Sequence, residues 1–226
     1  MKILNILSGL LILISSTVTL AEVSADVAQL QTRWAEVNYL LKDKEQKLAF
    51  EQLVVQAENV VLANTDSTEA LIWRGVIKAS FAGAKSAIDF SAMSLAKSAK
   101  ADFEKALTMD EKALQGSSYT NLGVLYYKVP GWPIGFGDDD KAKAFLQKAL
   151  AIDSVGIENN YFYADYLIDQ RKFSEAEKYL LKAQNAPARL DRPVSDKGRQ
   201  HEIAQALDNV RYQLKAKNNA SITDRR

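Results

Sequence analysis

Three groups of side chains in this 226-residue chain have the types and spacing to do chemistry. Asp138-Asp139-Asp140 sets three carboxylates in a row, hard oxygen donors of the kind that hold calcium or magnesium. A calcium loop also needs alternating Asp/Asn, an internal glycine and a distal Glu, and these are missing. The triplet is therefore expected to cap the helix running from Lys141 to Ala151, where carboxylates meet orphan N–H groups and the positive end of the macrodipole. The only histidine, His201, falls among Arg199, Gln200 and Glu202, and the chain has no cysteine. A zinc site is not expected from one imidazole, which reads as solvated or at a groove edge. The third group is Arg189, Arg192 and Arg199 with Asp191 and Asp196. A guanidinium offers paired donors to a carboxylate ligand; the alternative is that these charges pair among themselves and tie down a loop. No Gly-x-Ser-x-Gly elbow, phosphate-binding glycine loop or His-Glu-x-x-His motif occurs. The chain is read as non-enzymatic, with no catalytic residue, metal or cofactor expected. A hydrolase working through carboxylates is a lesser alternative.

The element nearest this chemistry is a loop. Between Tyr126 and Asp140 lie two of the four prolines and three of the ten glycines, in a chain that otherwise reads as helical. Such a segment is neither helix interior nor central strand. Its Trp132, Ile134 and Phe136 must be buried or offered to a partner, which makes Trp132 and Phe136 contact candidates. The loop is expected to be ordered, with at least one of the three buried, and to shape a groove before it contacts anything.

The helices around it repeat. Ala99, Phe103 and Ala106 have the spacing of Ala142, Leu146 and Ala149, and again of Ala176, Leu180 and Ala183. Each set marks one face of a helix on which small residues admit a close neighbour. Upstream of each lies a second helix with its own small residue: Gly75, Gly123 and Ala164. Each unit is thus a helical hairpin. Relative to the last, the second has twelve extra residues between its two markers and the third has seven. The twelve, rich in Ala and Ser without proline, are expected to lengthen the helices or add a short turn; the seven are the Pro-Gly-Trp loop. A weaker first hairpin has apolar residues at helical spacing, but only Ala57 is small where close contact is expected.

The fold expected is all-α: about four stacked antiparallel hairpins, at roughly 25–64, 67–110, 116–153 and 157–186, then a capping helix at 196–215 started by Ser195 or Asp196. They form one domain spanning 22–214, and 216–226 is expected to be a flexible tail. Residues 1–21 read as a secretory signal peptide, with Lys2, the apolar run Ile3 to Ile14 and Thr19-Leu20-Ala21 before Glu22. A transmembrane anchor is the alternative, but the run is shorter than the roughly 20 residues a bilayer needs. The chain is expected to be exported, to the periplasm. Without Lys2 the 29 basic residues become 28, equal to the 28 acidic ones, which argues against nucleic acid as a partner.

The hairpins resemble the tetratricopeptide repeat, whose pattern runs aromatic, Leu-Gly, Tyr, then Ala, a large apolar, Ala and a terminal Pro. The unit carrying Ala164, Ala176, Leu180, Ala183 and Pro187 fits best. In that family the first helix of each repeat lines a concave face, so the resemblance implies Thr120, Val124, Tyr127, Tyr161, Asp165 and Ile168 as groove residues. From about Thr65 to Leu214 the pattern is also similar to the T-component of periplasmic TRAP transporters, which implies a central opening that accommodates ligand and trimer formation. Members are commonly lipoproteins, and the lack of cysteine departs from that. The leading expectation is a periplasmic scaffold that holds a protein or peptide in its groove; the alternative is a solute-binding accessory of a TRAP-type transporter. A small-molecule ligand and homo-oligomer formation stay open, and no stable membrane anchor is expected once the signal is cleaved.

Overall fold

The computed structural model describes residues 24–85 and 89–223, with side chains to 217, so the signal-peptide segment lies outside the described residues. Among these the chain is helical: α1 (Ala25–Tyr39), α2 (Asp43–Ala63), α3 (Thr68–Ala84), α4 (Phe90–Met109), α5 (Ala113–Lys128), α6 (Asp139–Ile152), α7 (Ile157–Asp169), α8 (Phe173–Gln184) and α9 (Pro193–Thr223). Short polar side chains start several of them. Ser24, Ser67, Asp89 and Asp138 each accept a backbone N–H from the first turn they precede. The architecture is all-α, with helices packed as the hairpins α1–α2, α3–α4, α5–α6 and α7–α8, followed by α9.

The repeated small residues are the points where each hairpin crosses. A Cβ on Gly75 would stand 2.6 Å from the Phe103 ring, and one on Gly123 would stand 2.5 Å from Cγ of Leu146. Ala164 and Leu180, the matching pair of the last hairpin, are both fully buried. Large side chains thus enter notches left by missing ones, which fixes how the two helices sit. In the second hairpin the extra residues lengthen the helices: α3 and α4 have 17 and 20 residues, against 13 and 12 in α7 and α8. The first hairpin holds as well. Ala57 is fully buried, and Trp34, Phe50, Trp73 and Phe81 build a core cluster of α1, α2 and α3.

The C-terminal helix departs from expectation at both ends. It starts at Pro193, not 196, because the fixed φ of proline suits the first helical position, and it runs on to Thr223 through most of the segment expected as a flexible tail. Ser195 and Asp196 therefore lie inside it and do not begin it. Asp196 instead accepts the backbone N–H of Arg189 at 2.6 Å and so ties down the preceding loop.

The helix also reaches further than a cap needs. It packs on α8 through Ile203, Leu207 and Val210, all buried, and its first turns cross to α1 at the other end of the chain. The odd-numbered helices consequently touch in sequence, α1 on α3, α3 on α5, α5 on α7, α7 on α9, and α9 back on α1. The open groove expected of the hairpin stack is closed by this last contact. Among the described residues no helix is long and apolar enough to cross a membrane.

Candidate binding surfaces

The interior of this ring collects most of the residues singled out in the sequence, but it uses them internally. Arg199, on α9, is nearly buried, with 7% of its side-chain surface exposed. Its Nε donates to Glu158 at 2.8 Å, its Nη1 donates to Glu202 at 2.5 Å, and its plane lies 4.3 Å from the Tyr161 ring and 4.6 Å from Phe162. Arg189 donates to the second oxygen of Glu158 at 3.0 Å and from Nε to Asp196 at 2.7 Å. Tyr39, at the end of α1, donates to Glu202 at 3.4 Å. The arginine group is thus the self-paired form of the two readings open in the sequence. Arg192 alone of the three makes no ion pair among the described residues; it stacks 5.0 Å over Trp73 of α3, and its Nε and the indole Nε1 are buried without hydrogen-bond partners.

The electrostatics follow from this packing. Burial pushes the Glu158 carboxyl up, but the guanidiniums of Arg199, Arg189 and Arg192 together outweigh it and hold the group below its ordinary value. Glu202 goes the other way: burial, with the charge of Glu158 added, lifts it in spite of Arg199. Burial also raises Tyr161 to about 12 and Tyr39 further still. One carboxylate is held charged and its neighbour is biased toward the acid form, because three cations surround the first and only one the second.

The groove residues implied by resemblance to the tetratricopeptide repeat divide. Thr120 is buried, 2% exposed, and its hydroxyl donates to Asn159 at 2.6 Å; the Asn159 amide in turn donates to the carbonyls of Ala149 and Asp153, both at 3.1 Å. It joins α5 to α7 and is no groove contact. Tyr127 is also buried, its hydroxyl donating to Asp165 at 2.8 Å, and burial followed by that carboxylate raises its pKa well above the usual value. Asp165 takes Lys128 as well, at 2.8 Å. Val124 and Ile168 are half-buried against the main core, and Tyr161 is half-buried under Arg199.

The loop from Pro130 to Gly137 forms a separate surface. Backbone bonds close it: the N–H of Gly137 donates to Pro130 at 2.9 Å, those of Ile134 and Gly135 to Gly131 at 3.1 Å, and that of Asp138 to Tyr126 at 2.8 Å. A Cβ on Gly137 would overlap the Val129 carbonyl, so only glycine fits there. Phe136 is the apolar residue that packs, edge-on to Tyr126 at 5.7 Å, at the end of a column continuing through Phe145 to Tyr119. Trp132 and Ile134 point outward, 90% and 73% exposed. Phe136 therefore packs on Tyr126, whereas Tyr127 pairs with Asp165 of α7; the loop and the ring interior are distinct.

Asp138 is the cap expected of it. Its carboxylate accepts the Lys141 N–H at 3.0 Å, and that bond first of all holds its pKa below the usual value. No group of three or more His, Cys, Asp or Glu among the described residues is placed to hold a metal ion. His201 is exposed, at the rim of a cleft between α1 and α9.

Four residues of the interior escape a reading of the sequence: Tyr39, Trp73, Glu158 and Glu202. Glu158 could have been found, since it continues the helical stripe of Tyr161, Asp165 and Ile168 by one turn. Tyr39 could not, because its partner lies 163 residues away and only closure of the ring brings them together. No protein-family model matches the chain, and no curated protein matches it in sequence.

Proposed function

We propose that this chain is a non-catalytic, tetratricopeptide-like scaffold that works after export, in the periplasm, and holds a protein or peptide partner. The observation that carries the reading is the loop at the end of α5. Its backbone is closed on itself and anchored by Phe136, yet it holds Trp132 and Ile134 out in solvent. An ordered segment that displays a Trp and an Ile gains nothing from them within its own fold. Rigid exposed aromatics are typical anchors of protein interfaces, and they lose little entropy on binding.

Phe90 extends the same surface. It begins α4 and is 95% exposed, one turn before Met93, whose methyl group stands 2.9 Å from where a Cβ on Gly135 would be. The ring interior suits a supporting role, because Arg189 and Arg199 already satisfy its carboxylates. In this reading the partner is held by the loop edge, and the groove residues hold the scaffold together.

Capture from periplasmic extract tests the proposal, with the wild type and Trp132→Ala as baits. The substitution removes an exposed side chain, so the fold is retained, and partners held through the loop are depleted by tenfold or more, the effect of losing about 1.4 kcal/mol. Identical partner lists from the two baits would refute it. The same variant has a spectroscopic signature. Trp34 and Trp73 are 6% and 4% exposed, so Trp132 supplies nearly all the fluorescence that iodide can quench.

A further inference from the structure

The contact that closes the ring leaves a cleft beside it. Val194, Lys197, Gly198, His201 and Gln205 fall on one stripe of α9 by helical spacing, and opposite them the corner between α1 and α2 supplies Asn38, Leu40 and Lys42. Between the two walls is a space of about 640 Å³, the size of a small-molecule site. Its floor is the Tyr39 ring. That ring lies so close to Gly198 that a Cβ there would collide with it, and the Tyr39 hydroxyl is fixed by Glu202.

The charges of the walls that lack an ion-pair partner among the described residues are basic. Lys42, Lys197 and His201 line the cleft and make no ion pair among the described residues. The one carboxylate in the lining, Glu202, is already taken by Arg199 at 2.5 Å. Two ammonium groups and an imidazole therefore line a concavity whose only acid is already paired with a guanidinium, an arrangement that concentrates anions. Beside Asn38 and Gln205, the lining has an apolar part: Leu40, which is 64% exposed although it belongs to a packed corner, with Pro193 and Val194.

We infer that this cleft binds a small organic anion, its charged group between Lys42, Lys197 and His201 and its apolar body against Leu40, Pro193 and Val194. Both halves are required. A bare oxyanion leaves the apolar wall wet, and a neutral apolar molecule leaves the cations without a counter-charge. The site is separate from the partner-binding edge, since Trp132 and Phe90 play no part in it, and the inference stands or falls independently of the scaffold reading.

Isothermal titration of the full chain tests it with four probes: 4-phenylbutyrate, its neutral counterpart 4-phenylbutan-1-ol, acetate and phenyl phosphate. Trp34, edge-on to Tyr39 at 5.7 Å, gives a second readout through its emission. Saturable binding of 4-phenylbutyrate or phenyl phosphate is expected, with the tighter of the two identifying a carboxylate or a phosphate head. The alcohol and acetate should each bind at least tenfold more weakly. The double variant Lys197→Gln, His201→Gln alters only exposed side chains, so its circular dichroism should match the wild type while its affinity falls at least tenfold. Absence of binding by both anions, equal binding by the alcohol, or unchanged affinity in the double variant would each overturn the assignment.

Discussion

Replacing Arg199 with Leu tests the buried ion-pair cluster that ties α9 to α7. The side chain is 7% exposed, and its removal deprives two carboxylates at once, Glu158 at 2.8 Å and Glu202 at 2.5 Å. Breaking a buried pair from one side costs about 3–5 kcal/mol, because the surviving charge stays desolvated without its partner. Two features of the structure place this case near the lower bound. Glu158 keeps Arg189 at 3.0 Å, and Glu202 retains 34% side-chain exposure, so neither is left without help. The expected loss is about 3 kcal/mol. Arg199→Lys keeps the charge but not the fork that serves both acids, nor the flat face over Tyr161, and should cost about 1–2 kcal/mol. Combining Arg199→Leu with Glu158→Gln should cost less than the two changes summed, since the second removes the charge that the first strands. Urea unfolding followed by circular dichroism measures the wild type and the four variants, the single Glu158→Gln included. A loss under about 1 kcal/mol for Arg199→Leu, the range of exposed ion pairs, would refute the reasoning, as would strict additivity of the pair.

The hairpin crossing gives a second test: Gly123→Leu forces a branched side chain into the space of Leu146 and the Ala142 carbonyl and should cost about 1–3 kcal/mol, whereas an unchanged melting temperature would contradict the crossing. Asp102, 7% exposed in its side chain, accepts from Nε of Arg74 at 3.0 Å and from Lys78 at 3.3 Å. Asp102→Ala leaves Lys78, itself 8% exposed, without its closest acid, and should destabilise by about 3–5 kcal/mol in the same urea assay; a loss below about 1 kcal/mol would show that the cluster is solvated. The fourth test is pH. The folded pKa of Glu158 lies below its ordinary value of 4.5, so its stabilising contribution is complete above that value and is lost as pH falls through the lower folded pKa. The stability gap between wild type and Glu158→Gln should therefore be widest near neutrality and narrow as pH falls below the ordinary glutamate value; a gap that stays constant into acid would show that Glu158 has no shifted titration.

Legibility in the sequence followed distance along the chain. The hairpins were readable because the residues that make each crossing, such as Gly123 with Leu146, lie within one repeat and leave a periodic mark. The loop was readable because proline and glycine act locally; its direction was not. Whether Phe136 or Trp132 would be the packed residue depended on Tyr126 and Phe145, which belong to two helices. The same limit explains Thr120. Its position on the helical stripe was legible, but its burial is set by Asn159, one repeat away, whose amide spans three backbone carbonyls. The arginine group was the hardest case, because composition supplied donors and acids in near balance, and only the reach of α9 decided that Glu158 and Glu202 would meet them.

That reach changes how the stack should behave. In an open row of hairpins each unit rests on its neighbours, so the two ends can loosen independently. Here the first and last helices are joined by Tyr39 to Glu202 and by the packing of Tyr39 on Gly198, while Arg192 adds a stack on Trp73. A contact between residues so far apart in sequence forms late, since its loop entropy must be met before it stabilises anything. Once the intervening hairpins are in place, however, most of that entropy has already been spent, and closure makes opening at either end work against the other. The ring thereby gives a fold of short-range parts one long-range constraint. It also fixes the relative positions of the two surfaces that stay open, the Trp132 edge and the α1–α9 cleft.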